Sequence, residues 1–301
     1  MRARIAIGCA CVLLVAATAR GAKPKKGTGA GTNRATKAAV AAVLAASGAA
    51  DQAIDRTVIP PGGPAPKIAL PKPERFRLSS GPEVLVVPRH DLPMVTVSVV
   101  WPRGGGDELP TQAGLAEFTG DLLNEGTAKH DALALSEAAD AIGAQLTTGA
   151  NWDLTAATLT TLTKHLDAAL GLLAEVVVTP SFDPKELARQ RDEKRTALLA
   201  RKDSAAQVAG EVLAATIYGG NRRYGLPLIG TEETLGRLTR DDVVRWYRRE
   251  LRPDSATILI VGDVTAKAAQ AALEKAFAGW KAEEDPVLGG YAQGEMPRAR
   301  R

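Results

Sequence analysis

The sequence predicts an α+β fold in which an antiparallel-rich sheet is backed by helices. Segments with strand patterning come as adjacent pairs, and segments with helical patterning come in runs between those pairs. A doubly wound parallel sheet would instead need a helical crossover after almost every strand. Hydrophobic residues make up 45% of the chain but aromatic residues only 4%, so we expect a core built mainly from Leu, Val, Ile and Ala.

The strands are predicted from apolar, β-branched runs that end at turn residues. Met94 to Trp101 is the clearest of them, because four of its eight residues are valine and a run of glycines follows. The first two strands form a hairpin around the turn at 79–82. The predicted strands are 76–78, 83–87, 94–101, 145–150, 154–162 and 256–261.

The helices are predicted from apolar residues at helical spacing and from capping residues. Asp183 and Pro184 begin a long helix, in which Glu186 completes a capping box. Thr239 caps a later helix, with Asp242 three residues further on. The predicted helices are 112–125, 132–142, 166–177, 184–217, the helix that follows Thr239, and 266–278.

Both ends of the chain are predicted to lie outside the folded domain, which we assign to residues 74–284. Residues 1–22 read as a signal peptide, because two arginines precede an apolar run that small residues follow. The alternatives are a membrane anchor, for which the run is short, and a lipid-modified Cys9. Residues 23–73 are predicted to be a disordered Ala/Pro/Lys-rich linker and 285–301 a disordered tail. We therefore expect an exported protein, periplasmic or secreted, with no membrane span after signal removal.

Charge is distributed unevenly along the chain. The formal net charge is +4, but the first 40 residues carry +8 and the last six carry +3, so residues 41–295 carry −7. An acidic body is a poor candidate for binding phosphate backbones, and we expect no nucleic-acid partner. Both cysteines, Cys9 and Cys11, lie in the signal-like segment, so the exported chain would have no disulfide and no cysteine metal site.

Five strings within the predicted domain follow one another in a characteristic order. They are VTVSVVWPRGGGDE (95–108), GLAEFTGDLLNEGT (114–127), GAQLTTGANWD (143–153), YGLPLIGTEETLGRLTRDDVVRWYRRELRP (224–253) and ILIVGDV (258–264). In this order they resemble the pitrilysin/insulinase family of inverzincin metallopeptidases, which includes the mitochondrial processing peptidase. The resemblance covers about two thirds of the chain and implies a single pitrilysin/insulinase-type domain.

The zinc motif that the resemblance implies is degenerate in this chain. Active members carry H-x-x-E-H on the first helix, where two histidines bind zinc and the glutamate activates water, and a later helix supplies a glutamate ligand. The corresponding positions are Glu117, Gly120 and Asp121 and, by counting along the chain, Ala197. We expect no catalytic residue and no bound zinc.

Glu117 and Asp121 share one face of the predicted helix and could still attract a metal ion. Two carboxylates suit Ca²⁺ or Mg²⁺ better than Zn²⁺, but such ions want more oxygen ligands than one helix supplies. We favour the alternative of two solvated acids near the helix surface. The three histidines, His90, His130 and His165, have no metal-ligand spacing and are expected in surface or loop positions.

The strand that contains Leu146, Thr147 and Thr148 is a candidate peptide-binding strand. In the family, an edge strand at this place receives the extended substrate by β-augmentation. Backbone pairing does not depend on side chains, so peptide binding could outlast the loss of cleavage. The alternative is a strand buried within the sheet, which has no free edge.

The leading hypothesis is a catalytically inactive pitrilysin/insulinase-type homologue. It would act as a non-catalytic subunit that forms a heterodimer with a second, active chain of the family, or it would bind extended peptides. This expectation rests on family members that pair one catalytic chain with one degenerate chain. The alternatives are an active metallopeptidase with unorthodox ligands and a truncated, non-functional remnant.

Overall fold

The computed structural model describes Gly63 and residues 71–282, and residues 71–282 contain one six-stranded sheet backed by helices. The predicted signal peptide, most of the predicted linker and the predicted tail lie outside the described residues. The strands are β1 (Glu74–Arg77), β2 (Glu83–Pro88), β3 (Met94–Trp101), β4 (Gln145–Ala150), β5 (Thr155–Leu162) and β6 (Thr257–Gly262).

The strands lie in the order β1-β2-β6-β3-β5-β4. β2 and β6 run parallel, and the other four neighbouring pairs run antiparallel. The predicted fold class, α+β with an antiparallel-rich sheet, is therefore confirmed. The last strand in sequence lies in the middle of the sheet, where Ile260 is opposite Val97.

Eight α-helices and several short 3₁₀ turns complete the described residues. They are α1 (Leu115–Leu122), α2 (Ala132–Ala141), α3 (Leu166–Val178), α4 (Pro184–Lys202), α5 (Ala205–Tyr218), α6 (Glu232–Arg237), α7 (Arg240–Glu250) and α8 (Ala266–Ala276). The packed helices include α1, which contacts β4 and α7, and α3, which contacts β5 and α8.

The core lies between one face of the sheet and these helices. Along β3 the buried side chains are those of every second residue, Val95, Val97, Val99 and Trp101, which is the period expected of a strand with one covered face. Phe118 of α1 packs in the same core and has no solvent exposure. This arrangement fixes α1 over the β5 and β4 side of the sheet.

The predicted helix over 184–217 is wrong, because the chain forms two helices with a break at Asp203 and Ser204. Ser204 is extended, and its side chain accepts a hydrogen bond from the Gln207 N–H, which begins a new helix. The predicted capping box at Glu186 is also absent. Asp183 caps α4 through the Lys185 N–H, and Glu186 instead pairs with an arginine one turn later. The capping box of Thr239 with Asp242 is confirmed.

Among the described residues, no helix combines the length and the apolar character that crossing a membrane requires.

Candidate functional site

A buried carboxylate fixes the first turn of α1. Gly114 precedes this helix with φ 97°, a left-handed conformation that glycine adopts without steric cost. Glu108 Oε2 accepts a hydrogen bond from the Gly114 N–H at 3.0 Å, and Oε1 accepts one from the Ala116 N–H. A negative charge here also interacts favourably with the positive end of the helix.

Glu108 forms a buried ion pair with Arg223, which attaches the segment before α6 to the start of α1. Arg223 Nε–H donates to Glu108 Oε2 at 2.6 Å, and the guanidinium donates to the carbonyls of Pro227 and Leu228 at 3.0 Å. The guanidinium also lies 4.6 Å from the ring centroid of Trp152. Burial raises the pKa of Glu108 to about 7, although Arg223 and two backbone donors act in the opposite direction.

The two acids singled out on α1 share one ammonium group, that of Lys194 on α4. Lys194 Nζ donates to Glu117 Oε1 at 2.9 Å and to Asp121 Oδ2 at 2.6 Å. The lysine side chain is only 7% exposed, and the two carboxylate side chains are 21% and 32% exposed. We call these three side chains the ammonium–carboxylate triad.

The electrostatics of the triad favour a charged lysine. Burial alone would lower the pKa of Lys194, but the nearby carboxylates of Asp121 and Glu117 outweigh it and raise that pKa above its ordinary value. Burial raises the pKa of Asp121, and Lys194 offsets part of this rise. The triad therefore holds one ammonium against two carboxylates, with a formal charge of −1 when all three groups are ionised.

The expectation of two solvated acids at positions 117 and 121 is wrong, because Lys194 covers both. Counting along the chain led to Ala197, which is exposed, whereas the α4 residue that reaches α1 is Lys194, three residues earlier. A signal in the sequence could have identified it. Leu187 and Lys194 are the two buried residues of α4, and their spacing of seven places them on one helix face.

Gly120 lies where α1 comes closest to β4. A Cβ on Gly120 would lie 2.7 Å from the carbonyl carbon of Gly149 and 2.8 Å from the backbone nitrogen of Ala150. Backbone atoms cannot move aside as a flexible side chain can, so no side chain fits at this position. Close packing against β4 therefore accounts for a glycine in the middle of this helix.

The candidate peptide strand, β4, lies at one end of the sheet order. Within the described residues it pairs with β5 alone, so the alternative of a strand buried within the sheet is wrong. Leu146 is half-buried against the core, Thr147 is exposed, and Thr148 Oγ1 donates to Asn124 Oδ1 at 3.0 Å, just beyond α1. β4, with its free edge, therefore lies beside α1, the helix that carries the two carboxylates of the triad.

The histidines lie outside α1, and two of them contact carboxylates. His90 Nδ1 lies 2.6 Å from Asp263 Oδ1 on the surface, and His130 Nδ1 lies 2.8 Å from Glu175 Oε2. His165 lies in a 3₁₀ turn directly before α3. In the described part of the chain, no group of three or more His, Cys, Asp or Glu residues is placed to hold a metal ion.

Comparison with known families agrees with this geometry. The sequence model of the insulinase family, peptidase family M16, matches residues 84–232, and the model of the peptidase M16 inactive domain matches residues 237–299. The chain belongs to the M16 peptidase family. The resemblance inferred from the sequence strings is therefore confirmed.

Curated M16 relatives carry two kinds of name. The chain is 24% identical over 192 residues to "Uncharacterized zinc protease YmxG" of Bacillus subtilis, which covers 64% of this chain and 47% of the relative. It is 24% identical over 181 residues to "Non-peptidase homolog YmxG" of Helicobacter pylori, which covers 60% of this chain and 42% of the relative. The chain thus spans about half the length of these relatives.

Solved M16 structures share the fold. The peptidase M16 inactive domain from Pseudomonas fluorescens superposes with a TM-score of 0.66 and 25% identity, covering 70% of this chain and 52% of that chain. The first half of the periplasmic protease PqqL from Escherichia coli superposes with a TM-score of 0.64 and 19% identity, covering 72% of this chain and 48% of that chain.

The zinc ion that the M16 family implies does not fit the residues of α1. The positions of the two histidines hold Glu117 and Asp121, and the carboxylates of both already bind the Lys194 ammonium. The position of the water-activating glutamate is Gly120, where backbone atoms of β4 leave no room for a side chain. A zinc ion at the triad would have to displace a buried positive charge, so we derive no catalytic step through zinc.

Proposed function

We propose that this chain is a non-catalytic M16 domain that works as a subunit beside a second M16 chain in an exported compartment. The observation that carries the proposal is the position of the Lys194 ammonium between Glu117 and Asp121. Its positive charge opposes metal binding at the place where active members of the family hold zinc. The signal-like pattern of residues 1–22 supports export.

The missing general base supports the same proposal. Hydrolysis by an M16-type mechanism needs a carboxylate that takes a proton from the attacking water. Gly120 has no side chain, and its packing against Gly149 and Ala150 excludes a longer one without backbone movement. The proposed loss of activity therefore follows from the packing of α1 against β4 as well as from the replacement of the metal ligands.

An exposed apolar face on α5 supports a partner. In the described structure, none of the 14 residues of this helix is buried. Val208, Val212, Leu213 and Ile217 lie at helical spacing on one side, and the last three are more than half exposed. We call these four residues the α5 face. Contiguous exposed apolar surface of this kind is typical of protein-interaction sites.

The partner that we propose for the α5 face is a second M16 chain. The curated relatives are about twice as long as the segments that match this chain, and the E. coli structure that superposes on it is described as the first half of a protease. Those proteins carry further sequence that this chain does not match. A second M16 chain would cover the α5 face in a heterodimer.

The position of β4 supports a second role, the binding of extended peptides. An edge strand offers unpaired backbone donors and acceptors to an incoming strand, and this pairing needs no catalytic group. Leu146, Thr147 and Thr148 form the middle of that edge. An unstructured peptide added at saturation should slow amide hydrogen exchange in β4. The same peptide with N-methylated backbone amides should have no effect, and equal exchange with both peptides would argue against the role.

Two experiments test the proposed function. The purified chain is incubated with a fluorogenic peptide library, with and without a chelator, beside an active M16 peptidase as the positive control. We expect no cleavage by this chain alone, and chelator-sensitive cleavage would overturn the proposal. Co-expression with an M16 chain that retains H-x-x-E-H from the same organism should give a complex that co-elutes in size-exclusion chromatography, whereas separate elution would contradict the subunit role.

A further inference from the structure

The ammonium–carboxylate triad joins two helices through one cation. Glu117 and Asp121 belong to α1, Lys194 belongs to α4, and the single Nζ atom bonds to both carboxylates. We propose that the Lys194 ammonium is a substitute for a metal ion as the cation that joins α1 to α4, and that its removal leaves a binding site for a divalent cation.

The burial of Lys194 is the first argument for this role. A lysine side chain that is only 7% exposed loses most of its hydration. Only close and correctly placed hydrogen-bond acceptors compensate the free-energy cost of that loss. Here the two acceptors lie one helical turn apart on the same face of α1, at the spacing that lets two side chains hold one ion. The surroundings are thus arranged around a positive charge.

The position of the carboxylates is the second argument. The side chains of Glu117 and Asp121 are mostly buried, and α1 cannot move away from β4 without disturbing the contact of Gly120 with Gly149. Removing the ammonium would leave two partly buried negative charges that face one another, an arrangement that is costly without a cation.

The chemistry of the donors indicates which cation would enter. Carboxylate oxygens are hard ligands that suit Mn²⁺, Ca²⁺ or Mg²⁺. A glutamate at position 194 would add a third carboxylate from α4 and complete a bridge between the two helices.

The test compares melting temperatures of the full-length chain with and without MnCl₂. Lys194→Met should melt below the wild type, and Mn²⁺ at about a hundred times its Kd should raise the melting temperature by about 5–10 °C. Lys194→Glu should bind Mn²⁺ more tightly than Lys194→Met by about tenfold or more, measured by titration of the free-Mn²⁺ electron paramagnetic resonance signal. The wild type should show neither effect.

Two controls separate a cation role from simple packing. Lys202→Met removes a lysine at the end of the same helix that is 66% exposed, and it should show no Mn²⁺ effect. Glu117→Gln and Asp121→Asn combined with Lys194→Met remove the charges, and this variant should also lose the Mn²⁺ effect. If Lys194→Met does not fold, Lys194→Gln is measured instead, since it retains a hydrogen-bond donor.

The outcomes are distinct. The proposal is supported if Mn²⁺ raises the melting temperature only of the variants at position 194, and only when Glu117 and Asp121 are present. A Mn²⁺ effect of equal size in all variants, or none in any of them, overturns it. The measurement uses neither a partner chain nor a peptide. A negative result would therefore not decide the proposed subunit function, which the cleavage and co-elution experiments test separately.

Discussion

The backbones of Gly120 in α1 and Gly149 in β4 lie in direct contact, so that a Cβ at position 120 would approach the Gly149 carbonyl carbon to 2.7 Å. This contact brings the edge strand against the degenerate motif helix. It also leaves no space for the side chain that hydrolysis would need.

Gly120→Ala should therefore destabilise the domain, even though alanine favours helices more than glycine does. Overpacking against backbone atoms costs about 1–3 kcal/mol, and we expect the free energy of unfolding to fall by that amount in chemical denaturation. The matched control is Gly171→Ala in α3, where a Cβ meets nothing within 4 Å. That change should raise the free energy of unfolding by about 0.5–1 kcal/mol. A neutral or stabilising Gly120→Ala would show that α1 and β4 are further apart than described.

Removal of Arg223 should be among the more damaging single changes in the domain. Arg223→Met leaves the Glu108 carboxylate buried without its cation, and breaking a buried pair of this kind costs about 3–5 kcal/mol. Arg237→Met is the control, because Arg237 pairs with Glu233 on the surface, where both side chains are about 70% exposed. Surface pairs contribute little, so this variant should melt with the wild type. Equal melting of the two variants would contradict the role of Arg223.

The raised pKa of Glu108 predicts a specific pH dependence of stability. The pKa is about 7 in the folded protein and 4.5 in the unfolded chain, so the folded state binds this proton more tightly. The contribution of Glu108 to stability is therefore greatest below pH 4.5 and decreases as the pH rises to about 7, by up to about 3 kcal/mol. Glu108→Gln removes the titrating group, so the difference between the two unfolding curves should change over this range and stay constant above it. A constant difference from pH 4.5 to 7 would contradict the assignment.

Charged substitutions on the α5 face should prevent assembly with the partner without affecting the folding of the isolated chain. Leu213→Lys combined with Ile217→Lys alters two side chains that are about 60% exposed, so the melting temperature of the isolated chain should not change. Co-elution with the M16 partner should be lost, because a desolvated lysine is costly in an interface. Leu133→Lys on α2 is the control, since Leu133 is 69% exposed and lies on a different helix. Loss of co-elution in the control alone would place the interface elsewhere.

The sequence was sufficient to predict the sheet because its patterns are local. The alternation through Val95, Val97, Val99 and Trp101 predicted β3, and the family resemblance indicated the edge position of β4. The break between α4 and α5 was missed although Ser204 and Gln207 have the spacing of a capping box. Helical periodicity continues across this break and favours one long helix.

The site could be predicted only in part, because its contacts are between distant segments. Glu117 and Asp121 were identified from the degenerate motif, but their partner Lys194 lies 77 and 73 positions further along the chain. The Glu108–Arg223 pair spans 115 positions. No spacing rule links such residues, and only the packing of α1 against α4 and the segment before α6 brings them together. Lys194 could have been suspected as the polar residue on the buried side of α4, seven positions after Leu187.

The most direct test of whether the ammonium–carboxylate triad excludes zinc is the zinc content of the purified wild-type chain, measured after equilibrium dialysis against excess zinc and removal of loosely bound metal. We expect far less than one zinc ion per chain, because the Lys194 ammonium already binds Glu117 and Asp121. One zinc ion per chain in the wild type that is lost in the Glu117→Gln and Asp121→Asn double variant would contradict it and would restore a metal centre to this domain.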